Sequence, residues 1–330
     1  MKKSILIIGG GGFFGKSIID YFLKKKNLKN KINKIIIITK SSKNFIHPEL
    51  KKNYKIIQIK NDIANFKKIP FADYVIYCVR SRSFKEDCRG VKNYSKLAKK
   101  YHVNSNIVYT SSGAVYGKQS KKISRIKENV PVDFSQKLSK TKKSYAIQKI
   151  KNEEVFQKLS NFGPNVVIAR CFAFVGKNLP LESNYVVGNF ISSILNKTEI
   201  IVKSNVKVVR SYMHSDDLAE SLIKLALYNA TKFSIYNIGS ENIIDIHALA
   251  KKLSKKYKIK NITQRNISKK YYDRYVPSIS KFRKKFKFKK KLNSYGAIIK
   301  TIKEFKLNKW IFQTPQLELL FSVGMTGKIQ

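Results

Sequence analysis

One stretch near the start of the chain limits what it can become. The apolar residues 5–8 run straight into Gly9-Gly10-Gly11-Gly12-Phe13-Phe14-Gly15, and a helical pattern follows from Lys16. A tight turn between a strand and a helix needs residues without Cβ. The helix start beyond it presents free N–H groups and a partial positive charge, which suits a dinucleotide pyrophosphate. Four glycines in a row allow two registers, Gly9-x-x-Gly12-x-x-Gly15 and Gly10-x-Gly12-x-x-Gly15. The candidate cofactor contacts of the turn are Gly9, Gly12, Phe13, Phe14 and Gly15. The plainer alternative is a tight strand-to-helix turn with no ligand.

The rest of the chain repeats that alternation. Short β-branched runs at 4–8, 34–39, 55–59, 73–79, 106–110 and 165–170 predict buried strands, with a seventh at 233–238. Amphipathic stretches at 16–25, 90–101 and 139–159 predict helices. The fold class that follows is α/β, a Rossmann-type doubly wound parallel sheet. After Arg170 the rhythm loosens into loops such as 176–185 and helices at 186–196, 216–228 and 246–257. The expected organisation is a Rossmann domain over 1–170 and a smaller substrate domain over 171–310, with the strand near 233–238 able to return to the sheet. Residues 311–330 form a tail with no assigned role.

The end of the second strand distinguishes cofactors. An NAD site places a carboxylate there for the ribose 2′-hydroxyl. This chain has no Asp or Glu between Tyr21 and Pro48, and Thr39-Lys40-Ser41-Ser42-Lys43 stands instead. Lys40 or Lys43 with a serine would attract a 2′-phosphate, so the cofactor is NAD or NADP, with NADP favoured. Asp62, after the third strand, either meets the adenine or caps a helix.

Charge is the outlying property. Lys and Arg number 68 against 20 Asp and Glu, a net charge of +48. A nucleic-acid or anionic-membrane partner is one explanation. A genome-wide lysine bias is the favoured one, because only nine of the basic residues are Arg and the lysines are spread evenly. The run 281–291, KFRKKFKFKKK, could bind nucleic acid or membrane, but a solvated helix end with its phenylalanines turned inward is the favoured reading. Three scattered cysteines fit a reducing, cytoplasmic setting. No apolar run is long enough to span a membrane, and the run at 5–8 is too short for the core of a secretory signal. The four dispersed histidines suggest no metal site; His214, near Arg210, could touch substrate, but packing or surface exposure is the favoured reading.

A second motif carries chemistry. Thr110-Ser111-Ser112-Gly113-Ala114-Val115-Tyr116-Gly117 follows the fifth strand, and Tyr145-Ala146-Ile147-Gln148-Lys149 lies in a helical pattern. The i, i+4 spacing puts phenol and ammonium on one face. A free tyrosine ionises near ~10. A neighbouring Lys⁺ lowers that value, so Tyr145 can exchange a proton with a hydroxyl while hydride moves at its carbon. Ser112 would hold the same oxygen.

These motifs, with ARCFAFVG (169–176), RSYMHSDDLA (210–219), YNIGS (236–240) and YVPSISKFRKKF (275–286), resemble the extended short-chain dehydrogenase/reductase family, in its nucleotide-sugar epimerase/dehydratase branch. The resemblance covers about residues 3–309. It implies a nucleotide-sugar substrate and, usually, a homodimer. It implies catalytic roles for Ser112, Tyr145 and Lys149, ribose binding by Lys149, and substrate phosphate or base binding by Arg210. A surface ion pair of Arg210 with Asp216 or Asp217 is the alternative. Sugar dehydratases of this branch carry an Asp-Glu pair after the hydroxyl residue, and decarboxylases a Glu. Here Gly113 and Ala114 stand there, which favours an epimerase or 4-keto reductase unless Glu128 or Asp133 reaches in. Ala173 and Ser211 also depart from the family pattern, at positions where many members carry Asn and Asp. A 4,6-dehydratase, and a non-catalytic NADP- or RNA-binding Rossmann protein, are the other readings.

Overall fold

The structure, a computed structural model, describes residues 3–40, 46–81, 83–120, 122–132, 138–181, 185–228, 232–263 and 268–313. Its centre is a seven-stranded sheet built from β1 (Lys3–Ile8), β2 (Ile32–Thr39), β3 (Lys55–Lys60), β4 (Tyr74–Tyr77), β5 (Asn106–Ser112), β6 (Asn165–Cys171) and, after four short strands, β11 (Phe233–Ile238). The short strands are β7 (Phe174–Val175), β8 (Ile200–Val202), β9 (Val206–Arg210) and β10 (Met213–His214). The sheet order is β11-β6-β5-β4-β1-β2-β3, and every neighbouring pair is parallel. Chain order reverses between β1 and β4, and a crevice opens at the carboxyl ends of strands at such a point.

The nearly unbroken apolar strands have a physical cause. Successive side chains point to opposite faces, and both faces are covered. Ile5, Ile7, Ile35 and Ile37 pack with Ile18 and Phe22 of α1 (Phe13–Lys24) and Leu218 and Leu222 of α6 (Ser215–Ala226). Leu6, Ile8, Ile36 and Ile38 join a core that includes Val91 and Tyr94 of α3 (Phe84–Tyr101) and Phe156 of α4 (Lys140–Leu159). The remaining helix among the first six strands is the short α2 (Pro48–Asn53).

Helix starts differ from the sequence expectation where caps decide them. α3 begins at Phe84 rather than residue 90, because the Ser83 side chain accepts the Glu86 N–H at 3.2 Å. α1 begins at Phe13 rather than residue 16, with Gly12 at its N-cap and no side chain capping it.

A second core gathers α5 (Val186–Asn196), α7 (Ile246–Tyr257) and α9 (Ser294–Gln313) around Val175, Phe190, Leu249 and Ile298. Beside it β9 pairs antiparallel with β12 (Ile244–Asp245) and parallel with β14 (Ser268–Tyr275), which follows β13 (Asn261–Thr263). That ladder sets Tyr275 opposite Arg210. The basic run forms α8 (Ser280–Phe286) and its exit, where Phe282 and Phe288 are buried while Lys284, Lys285 and Lys289 are exposed. Residues 314–330 lie outside the described residues. Among the described residues, no helix is long and apolar enough to cross a membrane.

Candidate active site

The glycine turn adopts one of its two possible registers. Gly9 has φ +95°, and a Cβ there would stand 2.9 Å from the backbone of Cys78 and Val79. A Cβ on Gly15 would stand 2.5 Å from Gly10 Cα and the Gly9 carbonyl oxygen. The Gly12 N–H donates to the Gly9 carbonyl at 3.1 Å, and Gly12 then caps α1. The three positions that tolerate no side chain or start the helix are therefore Gly9, Gly12 and Gly15. The first turn of α1 carries no acidic residue. A close, uncapped and positive backbone surface of this kind fits a pyrophosphate. Phe13 and Phe14 pack inward, the Phe14 ring edge-on to Phe174 at 5.3 Å, so what they present at the turn is backbone.

At the neighbouring strand ends Thr39 is buried, and the Lys40 ammonium sits 2.7 Å from the Asp62 carboxylate. The Arg89 guanidinium is 3.9 Å from the same carboxylate. Asp62 also caps a short turn by accepting the Ala64 N–H at 3.0 Å. Burial would raise its carboxyl, but Lys40, the Ala64 amide and Arg89 outweigh burial and hold it low. Ser41, Ser42 and Lys43 lie outside the described residues.

The carboxyl end of β5 gathers the hydroxyl groups. Ser112 Oγ accepts the Ala114 N–H at 3.2 Å and lies 3.4 Å from the Tyr275 phenol, which donates to the Cys171 carbonyl at 3.4 Å. Tyr145 is half-buried on α4, within electrostatic reach of Lys149, Tyr275 and Arg80. Lys149 is buried; its ammonium donates to the Tyr109 phenol at 3.2 Å and stands 3.8 Å from Asp87. Burial alone would lower the Lys149 pKa. Tyr109, Tyr145 and Asp87 outweigh it and raise the value, so the ammonium stays charged. The Tyr109 phenol is pushed up to about 12, chiefly by burial.

A buried ion pair supports this end of the sheet. Arg170 donates to both carboxylate oxygens of Glu153, at 2.8 and 3.1 Å, and Glu153 also accepts the Ser111 hydroxyl at 2.5 Å. Glu153 lies one helical turn beyond Lys149, so the pair ties α4 to β5 and β6. The Arg170 guanidinium lies over the Tyr116 ring at 4.7 Å, and Tyr116 donates to Asn237 of β11 at 2.8 Å.

Gly113 lies against Phe172, and an added Cβ would be 2.6 Å from that ring. No larger side chain fits without repacking. Glu128 accepts the Asn237 N–H at 2.8 Å, and Asp133 lies outside the described residues.

Arg210 pairs with neither Asp216 nor Asp217. It donates to the Asp273 carboxylate at 2.8 Å, across the β9–β14 ladder. Asp216 instead takes Lys24 and Lys300, at 2.7 and 2.6 Å, and Asp217 takes Lys291 at 3.6 Å. His214 is less solitary than its position in the sequence suggests. It is buried, caps α6 by accepting the Asp216 N–H, and stands 3.2 Å from Glu304. Donor atoms of His214, Asp216 and Glu304 lie within 4.8 Å of one another, in a cluster where two ammonium groups already hold Asp216.

Sequence reasoning did not single out Tyr109, Asp87, Arg80 or Tyr185, and it used Tyr275 only as part of a motif. Tyr275 and Ser112 are 163 residues apart, and no local pattern joins them.

The family model described as NAD dependent epimerase/dehydratase family matches residues 5–239. The chain is similar to a UDP-N-acetyl-alpha-D-glucosaminuronate decarboxylase of Bacillus cytotoxicus, 26% identical over 76% of this chain and 79% of the relative. It is also similar to a putative UDP-glucose 4-epimerase of Methanocaldococcus jannaschii, 25% identical over 74% of this chain and 79% of the relative. In fold it is similar to a UDP-N-acetylglucosamine 4-epimerase from Methanobrevibacter ruminantium, with TM-score 0.73, 21% identity, and coverage of 93% of this chain and 100% of that one.

Proposed function

Because the chain belongs to the NAD dependent epimerase/dehydratase family, we propose that it moves hydride at a ring carbon of a nucleotide-linked sugar, with C4 as the first candidate, and ends in epimerisation or keto reduction. The reading is supported by Ser112 at the carboxyl end of β5, by Tyr145 and the buried Lys149 one turn apart on α4, and by the lack of a carboxylate directly after Ser112.

Tyr145 takes the proton of the sugar hydroxyl as hydride leaves the carbon, and returns it on reduction. Ser112 Oγ holds the reacting oxygen, from a position fixed by the Ala114 amide and Tyr275. Lys149 stays charged against Tyr109 and Asp87, one helical turn from Tyr145. The turn of Gly9, Gly12 and Gly15 takes the pyrophosphate, and Lys149 takes a ribose hydroxyl. The dinucleotide, when bound, supplies the hydride acceptor and donor.

Loss of water or CO₂ draws on a further acid or base beside the oxidised carbon. Phe172 leaves no room for one at 113, and Ala114 offers none. That supports an epimerase or reductase over a dehydratase. Lys40 and Arg89 bring two positive charges to one carboxylate, Asp62, and the surplus favours NADP over NAD. The names of the relatives make UDP-sugars the first substrates to try, and the family resemblance makes a homodimer the expected assembly, which light scattering checks.

The decisive test incubates purified protein with a panel of nucleotide sugars and their 4-keto forms, with and without NADPH, and follows products by mass and NMR. Epimers formed without net cofactor change, or NADPH consumed with a keto sugar, support the reading. A product lighter by one water or one CO₂, or no turnover of any nucleotide sugar, overturns it.

A further inference from the structure

Two ion pairs whose side chains are more than nine-tenths buried lie at consecutive turns of α4. Lys149 with Asp87 joins α4 to α3. Glu153 with Arg170 joins it to the sheet and takes no part in the hydride chemistry. A buried pair of this kind is weak support for stability, because both charges give up their water to form it. Its geometry points to another use.

Glu153 is a junction of three elements. Its carboxylate takes two N–H groups of Arg170, at 2.8 and 3.1 Å, and the Ser111 hydroxyl at 2.5 Å. Ser111 of β5 and Arg170 of β6 are direct partners across the two strands. One point of the helix is therefore held against two neighbouring strands at once, which fixes both its height along them and its distance from them. The pair also brackets the turn that follows Ser112. Ser111, immediately before Ser112, is bound to Glu153. Tyr116, which ends the turn Gly113–Tyr116, lies under the Arg170 guanidinium at 4.7 Å and is anchored on β11 through Asn237 at 2.8 Å.

We propose that Glu153 and Arg170 are positioning residues for the reaction, which set Ser112 on the strand end against Tyr145 and Lys149 on the helix. The inference rests on the proposed hydride chemistry, in which Ser112 and Tyr145 serve one sugar oxygen. Neither Glu153 nor Arg170 touches substrate in this role. A bidentate ion pair suits the task better than an apolar contact, because it has one geometry while methyl groups slide. A shift of about 1 Å between reacting groups lowers a rate about a hundredfold, so the clamp acts on kcat.

The test replaces the clamp with an apolar contact, Glu153→Met with Arg170→Met in one chain. Removing both charges leaves no unpaired ion behind, so the melting temperature stays at or above that of wild type. With the nucleotide sugar that wild type turns over, kcat falls about ten- to a hundredfold, while KM and NAD affinity stay within about twofold. Ser111→Ala, which removes only the hydroxyl, lowers kcat severalfold, and Ser111→Thr restores most of it. A merely structural pair gives the opposite split, a lower melting temperature with kcat retained by the folded enzyme. That result, or a loss confined to KM or to NAD affinity, overturns the role and leaves the hydride chemistry standing. If the double variant does not fold, Ser111→Ala decides, and a wild-type kcat there overturns the role. If wild type turns over no nucleotide sugar, the proposed function falls, and this role with it.

Discussion

Lys149 and Asp87 stand 3.8 Å apart in the protein interior, and both are almost wholly removed from water. The carboxylate thus offsets part of the positive field that Tyr145 feels from the helix turn below it. Asp87→Asn leaves the ammonium with Tyr109 alone. Breaking a buried pair costs about 3 kcal/mol, which urea denaturation will register as a lower midpoint.

Tyr145→Phe removes the phenol proposed to carry the proton while keeping the ring. Turnover falls by about 10²–10⁴-fold, the range ascribed to a positioned acid/base. Cofactor affinity, measured by fluorescence titration, stays within about twofold. A Tyr145→Phe enzyme with wild-type rates would remove the mechanism.

Gly113→Ala forces a methyl against Phe172. Overpacking of this kind costs about 1–3 kcal/mol, read as a fall in Tm. Phe172→Leu in the same chain restores most of the loss, because it clears the atoms that the new Cβ meets. If the single variant is as stable as wild type, the packing at that strand end is looser than the geometry indicates.

Lys40→Ala lowers affinity for NADP several-fold and leaves NAD nearly unchanged, measured by parallel calorimetric titrations. The variant also frees Asp62 to accept from a ribose hydroxyl, so the NADP-to-NAD ratio moves toward NAD. An equal loss for both cofactors would assign Lys40 a role in holding the loop and not in discrimination.

Acid weakens the fold through specific carboxylates. Asp62, Asp216, Glu220 and Asp273 are held low by lysine and arginine partners that outweigh burial. Their folded values lie below the unfolded ones, so the unfolded chain takes up protons first as pH falls. The stability they contribute is present above about pH 4.5 and drains away below it. Asp217 runs the other way, because burial raises it. Urea denaturation between about pH 3 and pH 7 should show falling stability on the acid side. Lys300→Met should lower stability at neutral pH and flatten that slope.

The sheet was legible in the sequence because its strands are covered on both sides and therefore read as unbroken β-branched runs. The glycine turn was legible because a missing Cβ is visible in a sequence, although choosing between its two registers needed the backbone of Cys78 and Val79. Helix starts were less so. Ser83 with Glu86 three residues on is a capping signal that the apolar pattern from Gly90 obscured. Contacts made across the sheet edge left no local trace. Nothing near Arg210 announces Asp273, 63 residues on, and nothing near Ser112 announces Tyr275, 163 residues on, because each pair meets only when distant parts of the chain fold together.

The last strand of the sheet comes from late in the chain, beyond β7, β8, β9 and β10. β11 pairs with β6 along six residues, and β6 is buried almost throughout. A nascent chain that has left the ribosome only as far as Arg210 would carry β6 as an open, sticky border, a template for pairing with other chains. The nucleotide-binding half cannot be cut out at β6 as a well-behaved fragment. Expression trials that stop before residue 238 should yield aggregates, whereas those that continue through it close the border.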